Sequence, residues 1–263
     1  MDLRLNDKTA FVSGSTRGIG FAIARGLLRE GATVVINGRS DASVHDALGR
    51  LRAEVPDAKV SGLAADVADP DQVQQLLGSL GDVDILVNNV GLFGLARFEE
   101  IPDSEWQRYF DVNVMSGVRL SRHVLGGMLA QGWGRIIFVS SESGVNVPAD
   151  MVHYGLTKAA MLALGNGLAK LTRGTDVTVN TILGGPTYSD GVAETVTQIA
   201  QSQAMGTEEM KAAIIGANPT TLLQRFIEPS EIANLALYLA SPLSAATNGA
   251  ALRADGGVLT AMV

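Results

Sequence analysis

Short runs rich in Val, Ile, Leu and Thr alternate with longer runs of helical spacing along almost the whole chain, and this alternation narrows the possible folds more than any other feature. The spacing predicts strands at Thr9–Ser13, Thr33–Asn37, Lys59–Ala64, Ile85–Asn88, Arg135–Ser140, Val177–Ile182 and Ala250–Arg253. Helices are predicted between them, at Gly18–Glu30, Asp41–Glu54, Asp69–Leu80, Asp103–Gln131, Met151–Leu171 and Pro229–Leu239. A strand that returns through a helix lies parallel to its predecessor, and the helices then cover both faces of the sheet. No linker, repeat or low-complexity tract interrupts the order. The expectation is one domain over residues 1–263, a doubly wound α/β fold with a seven-stranded parallel sheet.

One stretch, Gly184–Arg225, breaks the rhythm. It opens with Gly-Gly-Pro and carries helical patches with no strand signal. An insertion after the carboxyl end of a strand is where such sheets build a substrate pocket, so this stretch is expected to be a substrate loop or lid.

Composition removes several function classes. The formal charge is −7 and no basic run offsets it, which argues against nucleic acid as a partner. The chain has no cysteine, so disulfides, thiolate catalysis and cysteine-held metals are excluded. His45, His123 and His153 lie far apart with no ligand spacing, and no metal is expected. No stretch approaches the ~20 apolar residues that span a bilayer, and the first residues lack a signal-peptide pattern. The protein is expected to be soluble and cytoplasmic.

Directly after the first predicted strand comes Ser13-Gly14-Ser15-Thr16-Arg17-Gly18-Ile19-Gly20, followed by an apolar helix. Gly14 suits a sharp turn out of the strand, Gly18 a close approach to a pyrophosphate, and Gly20 tight contact between helix and strand. The helix N-terminus adds free N–H groups and partial positive charge, which together point to a dinucleotide. The second predicted strand ends Asn37-Gly38-Arg39-Ser40 with no carboxylate to grip a ribose 2′-hydroxyl. Arg39, with Arg17 from the glycine turn, instead offers forked donors for a 2′-phosphate, so NADP(H) is expected over NAD(H).

Tyr154 and Lys158 fall one turn apart on a predicted helix, about 6 Å along its axis. A phenol titrates near 10, and a neighbouring ammonium is expected to lower that value. Ser141 stands 13 residues before the tyrosine, at the end of a predicted strand, where its hydroxyl faces the same region.

These motifs, taken in order, resemble the short-chain dehydrogenase/reductase family over essentially the full length. The glycine turn matches at Gly14, Gly18 and Gly20, although Ser13 stands where threonine is commoner. Asp66-Val67 sits where the family has an acid contacting adenine. Asn88-Asn89-Val90-Gly91 resembles Asn-Asn-Ala-Gly, and Asn113 falls at the catalytic asparagine, completing a tetrad with Ser141, Tyr154 and Lys158. The resemblance implies a Rossmann fold and hydride transfer between NADP(H) and a carbonyl or secondary alcohol, with a ketone or 3-oxoacyl group among the candidate substrates.

In that scheme Tyr154 is the acid/base and Lys158 tunes it and bonds the nicotinamide ribose. Ser141 polarises the substrate oxygen, and Asn113 holds a relay water. Ser15, Ile19, Asn89, Gly91, Gly185 and Thr187 complete the expected cofactor contacts. The family commonly assembles as dimers or tetramers through the helices at Asp103–Gln131 and Met151–Leu171.

The chain departs from the family after the sixth strand. Gly184-Gly185-Pro186-Thr187 replaces the usual Pro-Gly, which is expected to loosen that loop and leaves Thr187 and Ser189 as alternatives for the carboxamide contact. Two rival readings are a structural subunit using the long helices only for assembly and a dinucleotide-sensing regulator, which predicts a missing tyrosine or lysine. Both residues are present.

Overall fold

A computed structural model describes residues 2–262. Seven strands form one sheet: β1 (Thr9–Val12), β2 (Thr33–Gly38), β3 (Val60–Ala64), β4 (Ile85–Asn88), β5 (Trp133–Ser141), β6 (Asp176–Gly184) and β7 (Ala251–Ala254). Every pairing is parallel, in the order β3-β2-β1-β4-β5-β6-β7. The chain winds outward from β1 to β3 and then crosses back to start β4 on the other side of β1. Beyond the carboxyl ends of β1 and β4 this reversal opens a crevice, the usual ligand position in such sheets.

Strand side chains alternate between two buried layers. Ala10, Val12, Ile137 and Val139 join Ile23, Leu27 and Ile232 in one core; Phe11, Ile136 and Phe138 join Leu120, Met128 and Met161 in the other. The first layer is covered by α1 (Gly18–Arg29), α2 (Asp41–Glu54) and α9 (Pro229–Ala240). The second is covered by α3 (Pro70–Ser79), α5 (Ser116–Gln131) and α6 (Val152–Lys170).

Local chemistry sets the helix ends. The Asp69 carboxylate caps α3 by accepting from Asp71 and Gln72 N–H, with Pro70 opening the helix. Glu228 and Glu231 form a reciprocal capping box on α9. Gly132 closes α5 in the left-handed region at φ 77°.

Three expectations need revision. The predicted helix Asp103–Gln131 is not uniform. It runs as α4 (Asp103–Phe110), a π-helical turn at Asp111–Met115, and then α5. Asn113 lies in that turn. Next, β5 and β6 run longer than predicted, and Ser141 is the last residue of β5, paired with Gly184. Gly184 also pairs with Ala254 and is buried, so the glycine in place of proline sits inside the ladder and no loosening occurs there.

The stretch after β6, as its helical patches suggested, forms α7 (Asp190–Ser202) and α8 (Thr207–Gly216), with its own apolar cluster of Val196, Ala200, Met210, Ile215 and Phe226. Its two ends are joined where Tyr188 N–H donates to Ile227 O at 2.8 Å and Ile227 N–H to Pro186 O at 2.8 Å. Among the described residues no helix is long and apolar enough to cross a membrane.

Candidate active site

The glycine turn is built from beneath by polar side chains, most of them buried. Gly14 and Gly18 take φ of 59° and 60°, where a side chain is strained. A Cβ on Gly20 would lie 2.5 Å from both Gly14 O and Asn89 Nδ2. Asn89 donates through Nδ2 to Ser13 O (3.1 Å) and Gly14 O (2.9 Å), and its N–H donates to Ser13 Oγ at 3.0 Å. The serine that replaces threonine thus holds the turn to β4. Asn37 accepts from Gly14 N–H at 3.1 Å and donates to Leu63 O and Ala65 O. Ser15 is fully buried, its hydroxyl donating to Val12 O at 2.6 Å.

The open end of α1 attracts anions, and the structure shows it in use. Arg17, the N-cap, makes no side-chain cap, so first-turn N–H groups face the crevice. One of them, Gly18 N–H, donates to the Asp190 carboxylate at 2.6 Å. Arg17 pairs with Glu194, also on α7, at 2.6 Å. The two arginines expected to converge on one phosphate are therefore not held together. Arg17 turns to α7, while Arg39 at the end of β2 is exposed and makes no ion pair among the described residues. A third guanidinium, Arg50 on α2, donates to Thr16 O at 2.7 Å and stacks on Phe21, bracing the turn from outside. Asp66 spends one oxygen on Ala68 N–H at 3.0 Å in the turn after β3, with Val67 buried beside it.

Ser141, Tyr154 and Lys158 meet because α6 packs unusually close to the end of β5. A Cβ on Gly144 would lie 2.8 Å from the Lys158 backbone, and one on Gly155 would lie 2.5 Å from Val147 and 2.8 Å from Ser143 O. Lys158 Nζ donates to Val139 O at 3.0 Å and lies 5.5 Å from the centre of the Tyr154 ring. A side chain on Gly91 would crowd that ammonium. Asn113 and Lys158 both flank Gly91, with no direct hydrogen bond between them. Asn113 accepts through Oδ1 from Leu92 N–H at 2.6 Å, and its Nδ2 donates to Leu92 O at 3.0 Å and Thr157 Oγ1 at 2.9 Å. It ties the π-helical turn to both the loop after β4 and α6.

The electrostatics are dominated by burial. Lys158 is lowered to about 8 by desolvation, with the Glu142 charge opposing. Tyr154 is pushed well above the ordinary phenol range by burial; the hydrogen bond from Ser141 acts against the rise and the charge of Glu142 adds to it. The net direction reverses the lowering expected from the lysine alone, because desolvation is the larger effect. His153 is buried against Tyr109, ring centres 4.1 Å apart, with Nδ1 unpartnered, and burial lowers its pKa: its role is packing.

A cleft of about 230 Å³ joins the two halves, lined by Arg17, Ile19, Gly91, Tyr154, Lys158 and Ser189. Thr187 stays outside it, buried with its hydroxyl on Gly185 O at 2.9 Å. Gly185 is required where it stands, since a Cβ would lie 2.5 Å from Asp255 O.

The family model described as short chain dehydrogenase matches residues 8–200. The chain belongs to that family. Among curated relatives of this short-chain dehydrogenase, an uncharacterized oxidoreductase, YvaG of Bacillus subtilis, is 44% identical over 98% of both chains. A D-beta-hydroxybutyrate dehydrogenase of Cupriavidus necator is 31% identical over 96% of this chain and 98% of its own. Among solved structures, the L-sorbose reductase of Gluconobacter frateurii complexed with NADPH and L-sorbose superposes with a TM-score of 0.94 at 31% identity, covering 100% of each chain.

Several residues of this short-chain dehydrogenase escape a reading by motif: Asn37, Arg50, Gly144, Gly155, Asp190 and Glu194. Of these only Asn37 carried a signal, as the uncharged residue near the end of β2. The others matter through contacts between elements distant in sequence.

Proposed function

We propose that the protein is an NADP(H)-dependent carbonyl reductase or alcohol dehydrogenase acting on a small ketone, 3-oxoacyl or sugar-like substrate. The observation that carries this reading is the convergence of Tyr154 and Lys158 on the same cleft as the glycine turn, with Ser141 hydrogen-bonded to Tyr154 from the end of β5. The dinucleotide fits the residues present: a backbone turn that excludes side chains, an α1 N-terminus already holding a carboxylate, and the free guanidinium of Arg39 beyond β2. NADPH-bound and NADP-bound neighbours of similar fold support the same choice.

Gly14, Gly18, Ile19 and Gly20 present backbone to the pyrophosphate in this reading, Arg39 meets the 2′-phosphate, and Asp66 and Val67 face the adenine. Asn89 acts by shaping the turn. Gly91 leaves room for the ribose beside Lys158, and Ser189 takes the carboxamide-side position that Thr187 has given up. Bound NADPH supplies the hydride. Tyr154 holds the proton destined for the carbonyl oxygen, and a phenol kept protonated by burial suits that task. The buried Lys158 amine, near neutrality in its titration, passes protons to and from the tyrosine side. Ser141 orients the substrate oxygen and offsets charge developing on it. Asn113 positions Leu92 and Thr157 around the pair. Association through the 103–131 and 152–170 helices is part of the same reading.

The deciding experiment is titration of the purified protein with NADPH and NADH followed by nicotinamide fluorescence. Tight NADPH and weak NADH binding is expected, and it licenses a screen of carbonyl substrates. Binding of neither moves the regulatory and structural readings forward.

A further inference from the structure

Glu142 follows Ser141 at the head of a short turn (Glu142–Gly144) and has no role in the chemistry described above. Its half-buried carboxyl group touches Ser141 Oγ through Oε2 and accepts from Ser143 Oγ through Oε1 at 3.3 Å. Ser141 Oγ also accepts from Ser143 N–H at 3.1 Å, which uses one of its two lone pairs. One proton and one lone pair remain, facing two neighbours: the Glu142 carboxyl and the Tyr154 side, where substrate sits in the proposed function.

A serine hydroxyl has a single proton to donate. If Glu142 is ionised it can only accept, so the Ser141 proton goes to Glu142 and nothing is left to donate to a substrate oxygen. If Glu142 is protonated it donates into the remaining lone pair of Ser141, and the serine proton is released toward Tyr154. We propose that Glu142 is a positioning residue whose protonation decides which way the Ser141 hydroxyl points, toward the reacting oxygen when Glu142 carries a proton and away when it does not. Forward and reverse reactions share a transition state, so the same control applies to both directions.

The surroundings favour the protonated form. Burial raises the Glu142 pKa above the ordinary carboxylate range, although its hydrogen bonds to Ser141 and Ser143 oppose the rise. Tyr154 and Lys158 on α6 are the titratable groups whose charge couples to it. The other element packed on this turn, β6, has its only carboxylate, Asp176, at the far end beside Trp133. Lys158, coupled to Glu142 and cationic below about 8, offsets part of this rise.

This inference rests on the carbonyl-reductase reading for its kinetic arm, so two arms are needed. In the first, the rate of NADPH-dependent carbonyl reduction is followed against pH. Wild type should lose about tenfold per pH unit above the Glu142 pKa, levelling after a loss of about a hundredfold. Glu142→Gln, whose amide always donates, and Glu142→Ala, which frees the hydroxyl, should both lack that limb. A limb that survives in both variants overturns the proposal.

The second arm needs no turnover. Infrared difference spectra of wild type against Glu142→Gln, without cofactor, follow the carboxyl stretch through a pH titration. Ser141→Ala removes the donor to the ionised form and should move the Glu142 titration upward; an unmoved titration also overturns the proposal. Absence of carbonyl turnover with this coupling intact sinks the functional reading and leaves the Glu142–Ser141 coupling standing.

Discussion

In the proposed reaction the Tyr154 oxygen carries the proton transfer, so Tyr154→Phe is expected to lower turnover by about 10²–10⁴-fold while NADPH still binds. Steady-state rates beside a fluorescence titration check both halves. Lys158 makes a prediction about stability, with a definite sign. Its folded-state pKa is about 8, below the 10.5 of a free lysine, so the unfolded chain binds more protons between those values. Stability from this residue therefore rises as pH increases from about 8 toward 10.5, and the penalty of the buried charge is felt in full below 8. Urea denaturation at pH 7.5 and 9.5 should show the gain, and Lys158→Met should flatten it. Arg39 tests the cofactor assignment: Arg39→Asp should weaken NADPH by tenfold or more, about 1.4 kcal/mol, and leave NADH nearly unaffected. Equal losses for both nucleotides count against the 2′-phosphate contact.

Among the elements, α6 and the end of β5 work as one unit because Gly144 and Gly155 let them touch. Alanine at Gly144 meets backbone that cannot swing aside, so Gly144→Ala should cost about 1–3 kcal/mol in denaturant unfolding and lower turnover together. The seven strands were legible in the sequence because both faces of the sheet are buried and the runs are correspondingly apolar. Their ends were less so. Ser141 and Gly184 extend the ladder through polar and small residues that carry no strand signal. The π-helical turn at Asp111–Met115 was hidden for a related reason: one extra residue shifts the phase of the helix but leaves apolar residues on its inner side on both sides of the turn. Ser141, Tyr154 and Lys158 stood out through their combined chemistry and order, whereas Asn113 was marked only by the family resemblance. Asn113's real bonds, to Leu92 and Thr157, did not stand out, since they join segments 21 and 44 residues apart.

For the molecule as a whole, the relation between lid and cofactor turn matters most. Asp190 and Glu194 bring two carboxylates to the spot where a pyrophosphate is expected, so they compete with it. Asp190→Asn should tighten NADPH binding about threefold, an effect that shrinks at high salt, as suits partly exposed charges. Isothermal titration at two ionic strengths measures it. This ion pairing was not legible in the sequence, because residues 17 and 194 are brought together only by the winding of the sheet. The hydrogen bonds joining Tyr188 and Ile227 have a consequence of another kind. A segment whose ends are already neighbours, and which packs on its own apolar cluster, can be exchanged for a counterpart of different length at modest entropic cost. Residues 188–226 are thus a cassette: a relative's lid spliced at the same two points should bring its own substrate preference while the proton chemistry beneath stays in place.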